Sequence, residues 1–133
     1  MLAKRGIRVA AADMNLDGVK ALAQELNSEQ NANNLVTAYQ VNIGDWDSQL
    51  SVFKQALENL DGRIDYVYPI AGVGENMHLP NNPDAQDFVK PDLKTLDIDL
   101  TGFIQTSSLA IQQFRRQEKD EDGLRGKSKP ALA

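Results

Sequence analysis

A run of six residues near the N-terminus constrains the fold more than any other part of the sequence. It reads Ile7-Arg8-Val9-Ala10-Ala11-Ala12, in which every side chain but the arginine is apolar and either small or β-branched. Such runs are typical of strands that are buried on both faces of a parallel sheet. Asp13 follows at once, and a helical pattern begins after it. The sequence therefore predicts a strand with a carboxylate at its C-terminal end.

Helix and strand patterns alternate along the next part of the chain. Residues 35–41 and 64–72 have the composition of strands. The first of two predicted helices is capped by Asn15 or Asp17, and the second is capped by Asp45. The apolar face predicted for the first helix comprises Val19, Leu22, Ala23 and Leu26, and that of the second comprises Trp46, Leu50, Phe53, Leu57 and Leu60.

A third and longer helix is predicted from about Pro91 to Gln117, after a polar, proline-containing loop at residues 75–90. One side of this helix carries Leu96, Leu100, Phe103, Ile111 and Phe114, and another carries the small residues Gly102, Thr106 and Ala110. Alternation of this kind with short connections predicts right-handed crossovers and a parallel sheet that is covered by helices on both faces. The predicted fold class is α/β with a doubly wound sheet. Residues 1–117 form its domain, and residues 118–133 are predicted to be a mobile, charged tail.

Charge and composition narrow the classes of partner. The 133 residues carry a formal net charge of −5, and the sequence pI is about 4.8, which argues against a nucleic acid or an anionic membrane as a partner. The absence of cysteine excludes disulfides and thiolate chemistry and is compatible with a reducing compartment. Neither a signal peptide nor an apolar run of about 18 residues is present. We therefore expect a cytoplasmic protein.

Asp13 stands where dinucleotide-binding folds place the acid that binds the adenosine ribose, although it could instead cap the following helix. In those folds a glycine-rich phosphate loop lies about 20 residues before the acid. Only twelve residues precede Asp13. The sequence is therefore interpreted as the middle of an enzyme.

Several phrases in the right order carry a family resemblance. They are Pro91-Asp92-Leu93, Asp97-Ile98-Asp99-Leu100-Thr101-Gly102 and Gln112-Gln113-Phe114-Arg115-Arg116. From Leu2 to about Gly126 the chain resembles fungal-type short-chain dehydrogenases/reductases, which are Rossmann-fold oxidoreductases that use a nicotinamide cofactor. The resemblance implies strands two to four of that fold. The first strand and the C-terminal half would be missing, and the sequence would be truncated at both ends.

The resemblance also implies a set of cofactor contacts. Asp13, with Met14 beside it, matches the acid that binds the ribose, so that NAD is preferred over NADP because the carboxylate would repel a 2′-phosphate. Asn42 and Ile43 match an Asp-Val pair that lies along the adenine. Ala71 and Gly72 match the small residues at the end of a strand, where the cofactor approaches the backbone. The sequence departs from the family there, because Pro69 and Ile70 replace two asparagines.

Asp99 aligns with the catalytic asparagine that, in the family, helps to hold the water of a proton relay. It is therefore the one candidate catalytic residue, although it could equally be a polar residue facing a break in the helix. The family's catalytic Tyr-x-x-x-Lys is absent: Tyr39, Tyr66 and Tyr68 have no lysine four positions on. No strand pattern is recognised after Gly126, where the family continues towards its catalytic serine. His78 has no second ligand nearby, so no metal site is predicted.

These absences shape the functional expectations. The chain alone is expected to bind NAD weakly, to be inactive, and to be weakly folded, because the missing first strand would lie between the strands that carry Asp13 and Gly72. The leading hypothesis is a fragment of an oxidoreductase that transfers a hydride between NAD and a small alcohol or ketone substrate. A second is a non-catalytic partner that acts through the helix at 91–117, which in the family packs in a subunit interface and implies a homo-oligomer. A third is an unrelated doubly wound domain, such as a flavodoxin-like binding module.

Overall fold

Helices and strands alternate in the computed structural model, which describes residues 2–32, 34–74 and 83–128. His78 lies outside the described residues. The elements are a 3-10 turn (Ala3–Arg5), β1 (Val9–Asp13), α1 (Leu16–Glu29), β2 (Val36–Gln40), α2 (Trp46–Asn59), β3 (Tyr66–Val67), α3 (Lys94–Leu96), a π-helical segment (Asp97–Gly102), α4 (Phe103–Arg116) and β4 (Lys127–Ser128). None of the described helices is both long enough and apolar enough to span a membrane.

The strands form two separate parallel pairs. In the first pair β1 lies beside β2 with Val9 opposite Val36 and Asp13 opposite Gln40. In the second, β3 lies beside β4. Within the described residues, no strand hydrogen-bonds one pair to the other. The α/β fold class and its parallel strands are therefore confirmed.

The strands differ from the predicted ones in burial, in length and in number. β1 is only partly buried and is exposed at Ala12 and Asp13, because nothing described here pairs with its other edge. β3 is two residues long instead of the predicted 64–72, since Pro69 has no N–H to donate to a ladder. The strand that the sequence did not reveal after Gly126 is present as β4.

The helix caps are local features and follow the sequence closely. Asn15 caps α1 by accepting the backbone N–H of Gly18 at 3.1 Å. Asp45 caps α2 by accepting the N–H of Asp47 at 3.1 Å. Gly6 ends the 3-10 turn with φ of 72°, a left-handed conformation that glycine adopts without strain.

The buried faces of the helices differ in part from the predicted ones. On α1, Val19, Ala23 and Leu26 are buried as predicted, but Leu22 remains 42% exposed because a two-stranded sheet is too narrow to cover it. On α2 the predicted apolar stripe is only partly buried, and the fully buried residues are Gln49 and Ala56. One core cluster joins α1 to the first strand pair: Ala3, Ala23, Leu26 and Val36, flanked by Val9, Ala11, Leu35 and Ala38.

The long helix predicted from Pro91 begins at Lys94 and ends at Arg116, with Gln117 as its C-cap. Its small-residue side faces inwards, since Gly102 and Ala110 are buried together with Ile98 and Leu109. Of the apolar side that was predicted to pack, Leu96, Leu100 and Ile111 are exposed and Phe103 and Phe114 are partly buried; Ile104, which was not part of that prediction, is exposed as well. Small residues allow the close approach of neighbouring backbone, and that approach decides which side is buried.

Two side-chain amides pair with backbone groups beside the strands. Asn27, near the end of α1, accepts the N–H of Val36 at 2.8 Å and donates to its carbonyl at 2.9 Å. Gln117 does the same for Ile64, with distances of 2.8 and 2.9 Å. In each case the amide pairs with both backbone groups of one residue, which is the first residue of β2 for Asn27 and lies two residues before β3 for Gln117. These contacts tie α1 to β2 and the end of α4 to the segment that leads into β3.

The segment after α4 is held to the fold at several points. The guanidinium of Arg63 donates to the Glu118 carbonyl at 2.8 Å, and that of Arg125 donates to the Arg115 carbonyl at 2.9 Å. Leu124 N–H donates to the Asp120 carboxylate at 2.7 Å. The mobility of residues 118–133 stays a prediction.

Candidate functional site

The C-terminal ends of β1 and β2 lie at one edge of their sheet, because the two strands are parallel. Asp13 is the last residue of β1, and its carbonyl accepts the N–H of Val41 at 3.0 Å. Gln40 reaches across the same edge and donates from Nε2 to the Met14 carbonyl at 3.2 Å. The structure thus brings Asp13 and Met14 next to the turn that begins at Asn42.

The carboxylate of Asp13 has one oxygen engaged and one that is open. Its Oδ1 accepts the N–H of Asn15 at 2.8 Å, which shapes the entry into α1. The N-cap itself is Asn15, so Asp13 does not take the capping role that the sequence left open. Oδ2 accepts no hydrogen bond from any residue that the structure describes, and the residue is exposed to solvent, so Oδ2 is accessible to a ligand.

Asn42 and Ile43 form a tight turn before α2. The Asn42 N–H donates to the Ser48 hydroxyl at 3.0 Å, and its side-chain Oδ1 accepts the Gly44 N–H at 3.0 Å. Within the described parts of the chain, the Nδ2 group of Asn42 donates to no protein atom, which leaves it available to a ligand. The Ile43 carbonyl points the other way and accepts from Gln49 Nε2 at 2.6 Å.

Gly72 and Asp99 lie close together after β3. The Asp99 carboxylate accepts the Val73 N–H at 2.9 Å, and a Cβ atom at Gly72 would lie 3.1 Å from the same Oδ1. Asp99 belongs to the π-helical segment, and such segments occur frequently at functional sites. Ala71 and Gly72 are exposed, so the backbone there is open to a ligand.

A close contact links these two regions. A Cβ atom at Gly102 would lie only 2.7 Å from the Ile43 carbonyl oxygen, so the end of the π-helical segment packs directly on the turn after Asn42. Gln49 bridges the same two backbones, since its Nε2 also lies 3.2 Å from the Gly102 carbonyl. Sequence reasoning noted that Gly102 is small but missed Gln49. The only sequence signal for Gln49 was its position beside the apolar stripe of α2.

No group of three or more histidine, cysteine or acidic side chains in residues 2–32, 34–74 and 83–128 is arranged to hold a metal ion. What the described arrangement offers is an exposed carboxylate, an amide donor and an open glycine backbone at the ends of parallel strands. Such strand ends are where ligands bind in open α/β sheets. None of the three tyrosines of the chain is followed four residues later by a lysine.

Comparisons with known proteins identify the family. The family model of the short chain dehydrogenases matches residues 1–121. A short-chain dehydrogenase/reductase of Acremonium egyptiacum, ascJ, is 32% identical over 123 residues, which cover 89% of this chain and 41% of that protein. This match excludes the unrelated flavodoxin-like module that the sequence left open.

Solved structures show the same fold at lower identity. Sorbitol-6-phosphate 2-dehydrogenase of Erwinia amylovora gives a TM-score of 0.73 at 24% identity and covers 97% of this chain and 46% of its own. An alcohol dehydrogenase of Thermococcus sibiricus, complexed with 5-hydroxy-NADP, gives 0.70 at 23% identity, with 86% and 46% covered. The chain thus spans less than half the length of each of these proteins. It belongs to the short-chain dehydrogenase family of Rossmann-fold oxidoreductases.

Proposed function

We propose that this chain supplies one side of a nicotinamide-cofactor site in an oxidoreductase that transfers a hydride between NAD and an alcohol or ketone. The observation that carries the proposal is the exposed Asp13 carboxylate at the C-terminal end of β1, with one oxygen fixed by Asn15 and the other open. The nicotinamide compound in the Thermococcus sibiricus enzyme supports the class of cofactor. The substrate class follows from the family alone.

In this proposal Asp13 selects NAD. Its open oxygen accepts a hydrogen bond from a ribose hydroxyl, whereas a 2′-phosphate in the same place would meet a like charge. Two like unit charges about 4 Å apart repel by about 1 kcal/mol in bulk water and by about 4 kcal/mol near a protein surface. Met14 and the turn at Asn42 and Ile43 would flank the adenosine, with the free Nδ2 of Asn42 as a hydrogen-bond donor.

Ala71 and Gly72 would let the cofactor approach the backbone after β3. The Asp99 carboxylate holds the Val73 N–H at 2.9 Å and so fixes the shape of that turn. Its second oxygen is proposed to hold a water of the proton relay, which is the role implied by its alignment with the family's asparagine. The nicotinamide, when bound, would supply the hydride chemistry.

The chain is proposed to be inactive alone. General acid–base catalysis contributes about 10²–10⁴-fold to such reactions, and no Tyr-x-x-x-Lys is present to supply it. Weak cofactor affinity is also expected, because the pyrophosphate is normally bound by a glycine-rich loop at a helix N-terminus, and this sequence contains no such loop.

The location and the partners are proposed from composition. The lack of cysteine fits a reducing compartment, and we place the chain in the cytoplasm without a nucleic-acid or membrane partner.

A second candidate is a non-catalytic role in self-association. Four large apolar side chains exposed on the long helix favour it, because clustered exposed apolar residues mark contact surfaces: Leu96, Leu100, Ile104 and Ile111. Sedimentation of the purified chain distinguishes the candidates. A homo-oligomer that dissociates when Leu100 is replaced by Glu supports self-association through this helix, and a monomer at all concentrations excludes it.

Replacing Asp13 by Asn tests the proposed cofactor contact. The amide keeps an oxygen for the Asn15 N–H but removes the charge, so discrimination against a 2′-phosphate should fall by about tenfold. Isothermal titration with 5′-AMP and with adenosine 2′,5′-bisphosphate measures this ratio. The control is Asp17→Asn, which removes an equally exposed carboxylate in the first turn of α1. An unchanged ratio in Asp13→Asn, or an equal change in the control, contradicts the assignment.

A further inference from the structure

Gln49 is a buried polar residue on a helix whose other contacts are largely apolar. The residue is only 4% exposed. Its Nε2 lies 2.6 Å from the Ile43 carbonyl, 3.2 Å from the Gly102 carbonyl and 3.1 Å from Gln105 Oε1. Its Oε1 accepts from the Thr106 hydroxyl at 2.7 Å. Burying an amide costs free energy unless it is bonded, and here both of its polar atoms are used.

The contact with Gly102 lies at the junction between the π-helical segment and α4. At such a junction the backbone pairing changes from the π-helical to the α-helical pattern, and a side chain that bonds to the backbone there can fix its place. The Gly102 carbonyl lies 3.2 Å from Gln49 Nε2 and 3.0 Å from the Thr106 hydroxyl, whose single proton is shared with Gln49 Oε1 at 2.7 Å. Gln49 and Thr106 therefore hold the position at which the π-helical segment ends.

The position of that segment determines where Asp99 lies. Asp99 is three residues before Gly102 in the same segment and accepts the Val73 N–H. On the other side, Gln49 holds the carbonyl of Ile43, against which Gly102 is packed with no room for a Cβ atom. A continuous set of contacts thus runs from the turn at Ile43 through Gln49 and the π-helical segment to the turn at Val73.

We infer that Gln49 is a positioning residue that couples the turn at Asn42 and Ile43 to the turn at Gly72 and Val73. These are the turns that the proposed function places on the adenine side and on the nicotinamide side of the cofactor, and the inference rests on that function for its purpose. Gln49 touches neither the cofactor nor the reacting atoms. Its effect is to set the spacing of two binding surfaces that belong to different strand pairs.

The test replaces Gln49 by Met, which has a similar volume but makes none of these hydrogen bonds. Amide hydrogen exchange is followed by NMR at Val73, with the Val36 amide at the start of β2 as an internal reference. Exchange at Val73 should become about tenfold faster, because the hydrogen bonds that hold the π-helical segment in place are lost. Val36 should change little, since its N–H is held by Asn27 and not by this network.

The matched control is Gln55→Met on the same helix, where the exposed amide contacts only Ser51 within the described structure. Thr106→Val is a milder second variant, which removes the hydroxyl and keeps the shape; it should accelerate Val73 in the same pattern but less. Unchanged exchange at Val73 in both variants overturns the coupling. Equal acceleration of Val73 and Val36 also overturns it, since that result indicates general destabilisation.

Binding of 5′-AMP separates this inference from the proposed function. If the unaltered chain binds 5′-AMP, Gln49→Met should weaken binding by several-fold while Gln55→Met leaves it unchanged. If the unaltered chain binds no 5′-AMP even at millimolar concentration, the proposed function fails. The exchange at Val73 still decides whether Gln49 couples the two turns.

Discussion

Replacing Gln117 by Met should lower the free energy of unfolding by about 2–5 kcal/mol, the largest loss expected from any single side chain in this fold. Gln117 is 6% exposed and pairs with both the N–H and the carbonyl of Ile64, which is itself buried. Met fills the space but leaves both backbone groups buried without partners. Each such group costs about 1–3 kcal/mol.

The same substitution should also release β3 from its register. Gln117 donates to the Arg125 carbonyl and accepts from Gln113 at 3.1 Å, so its loss loosens the segment that leads to β4. Urea unfolding followed by circular dichroism measures the change. The control is Gln112→Met, which removes an exposed amide that bonds only to Ser108 in the described structure. A loss below about 0.5 kcal/mol in Gln117→Met, the level typical of surface changes, contradicts the paired-amide account.

Replacing Gly102 by Val should destabilise the chain by about 2–3 kcal/mol. A Cβ atom at this position would lie 2.7 Å from the Ile43 carbonyl oxygen. That oxygen belongs to the backbone and is held by Gln49, so it cannot move aside as the end of a flexible side chain would. The two added methyl groups make the overlap worse, and the long helix must shift away from the turn.

Gly74→Ala is the control for this substitution, because a Cβ atom there meets no atom of the described residues within 4 Å. Thermal unfolding of both variants measures the difference, and Gly74→Ala should be nearly neutral. A Gly102→Val variant as stable as the unaltered chain would show that the turn and the helix are not in contact. The assignment of Gly102 as the packing residue would then be wrong.

Local features of this fold could be read from the sequence, and features that depend on neighbours could not. The caps at Asn15 and Asp45 depend on residues two or three positions away, so the pattern was sufficient. The burial of β1 depends on strands on both sides, and only one is present among the described residues. The inward side of the long helix depends on how closely its backbone approaches Ile43, which favours Gly102 and Ala110 over the larger apolar residues.

The candidate site shows the same division. Asp13, Asn42 and Gly72 stand at strand ends, and strand ends follow from the hydrophobic pattern. Gln49 and Gln117 were not foreseen, because a glutamine in a helical pattern usually indicates a solvated face. Here Gln49 bonds to the carbonyls of Ile43 and Gly102, and Gln117 bonds to both backbone groups of Ile64, so both amides are buried because they pair with backbone.

The most direct test of the central claim is a ¹⁵N–¹H NMR titration of the chain with NAD. The chain is proposed to retain two cofactor-binding surfaces of a short-chain dehydrogenase, coupled through Gln49. Amide shifts should therefore be concentrated at residues 13–15, at 42–44 and at 72–73, with weak affinity and smaller shifts for NADP. Shifts confined to other parts of the chain, or none at millimolar NAD in a well-dispersed spectrum, would contradict the claim.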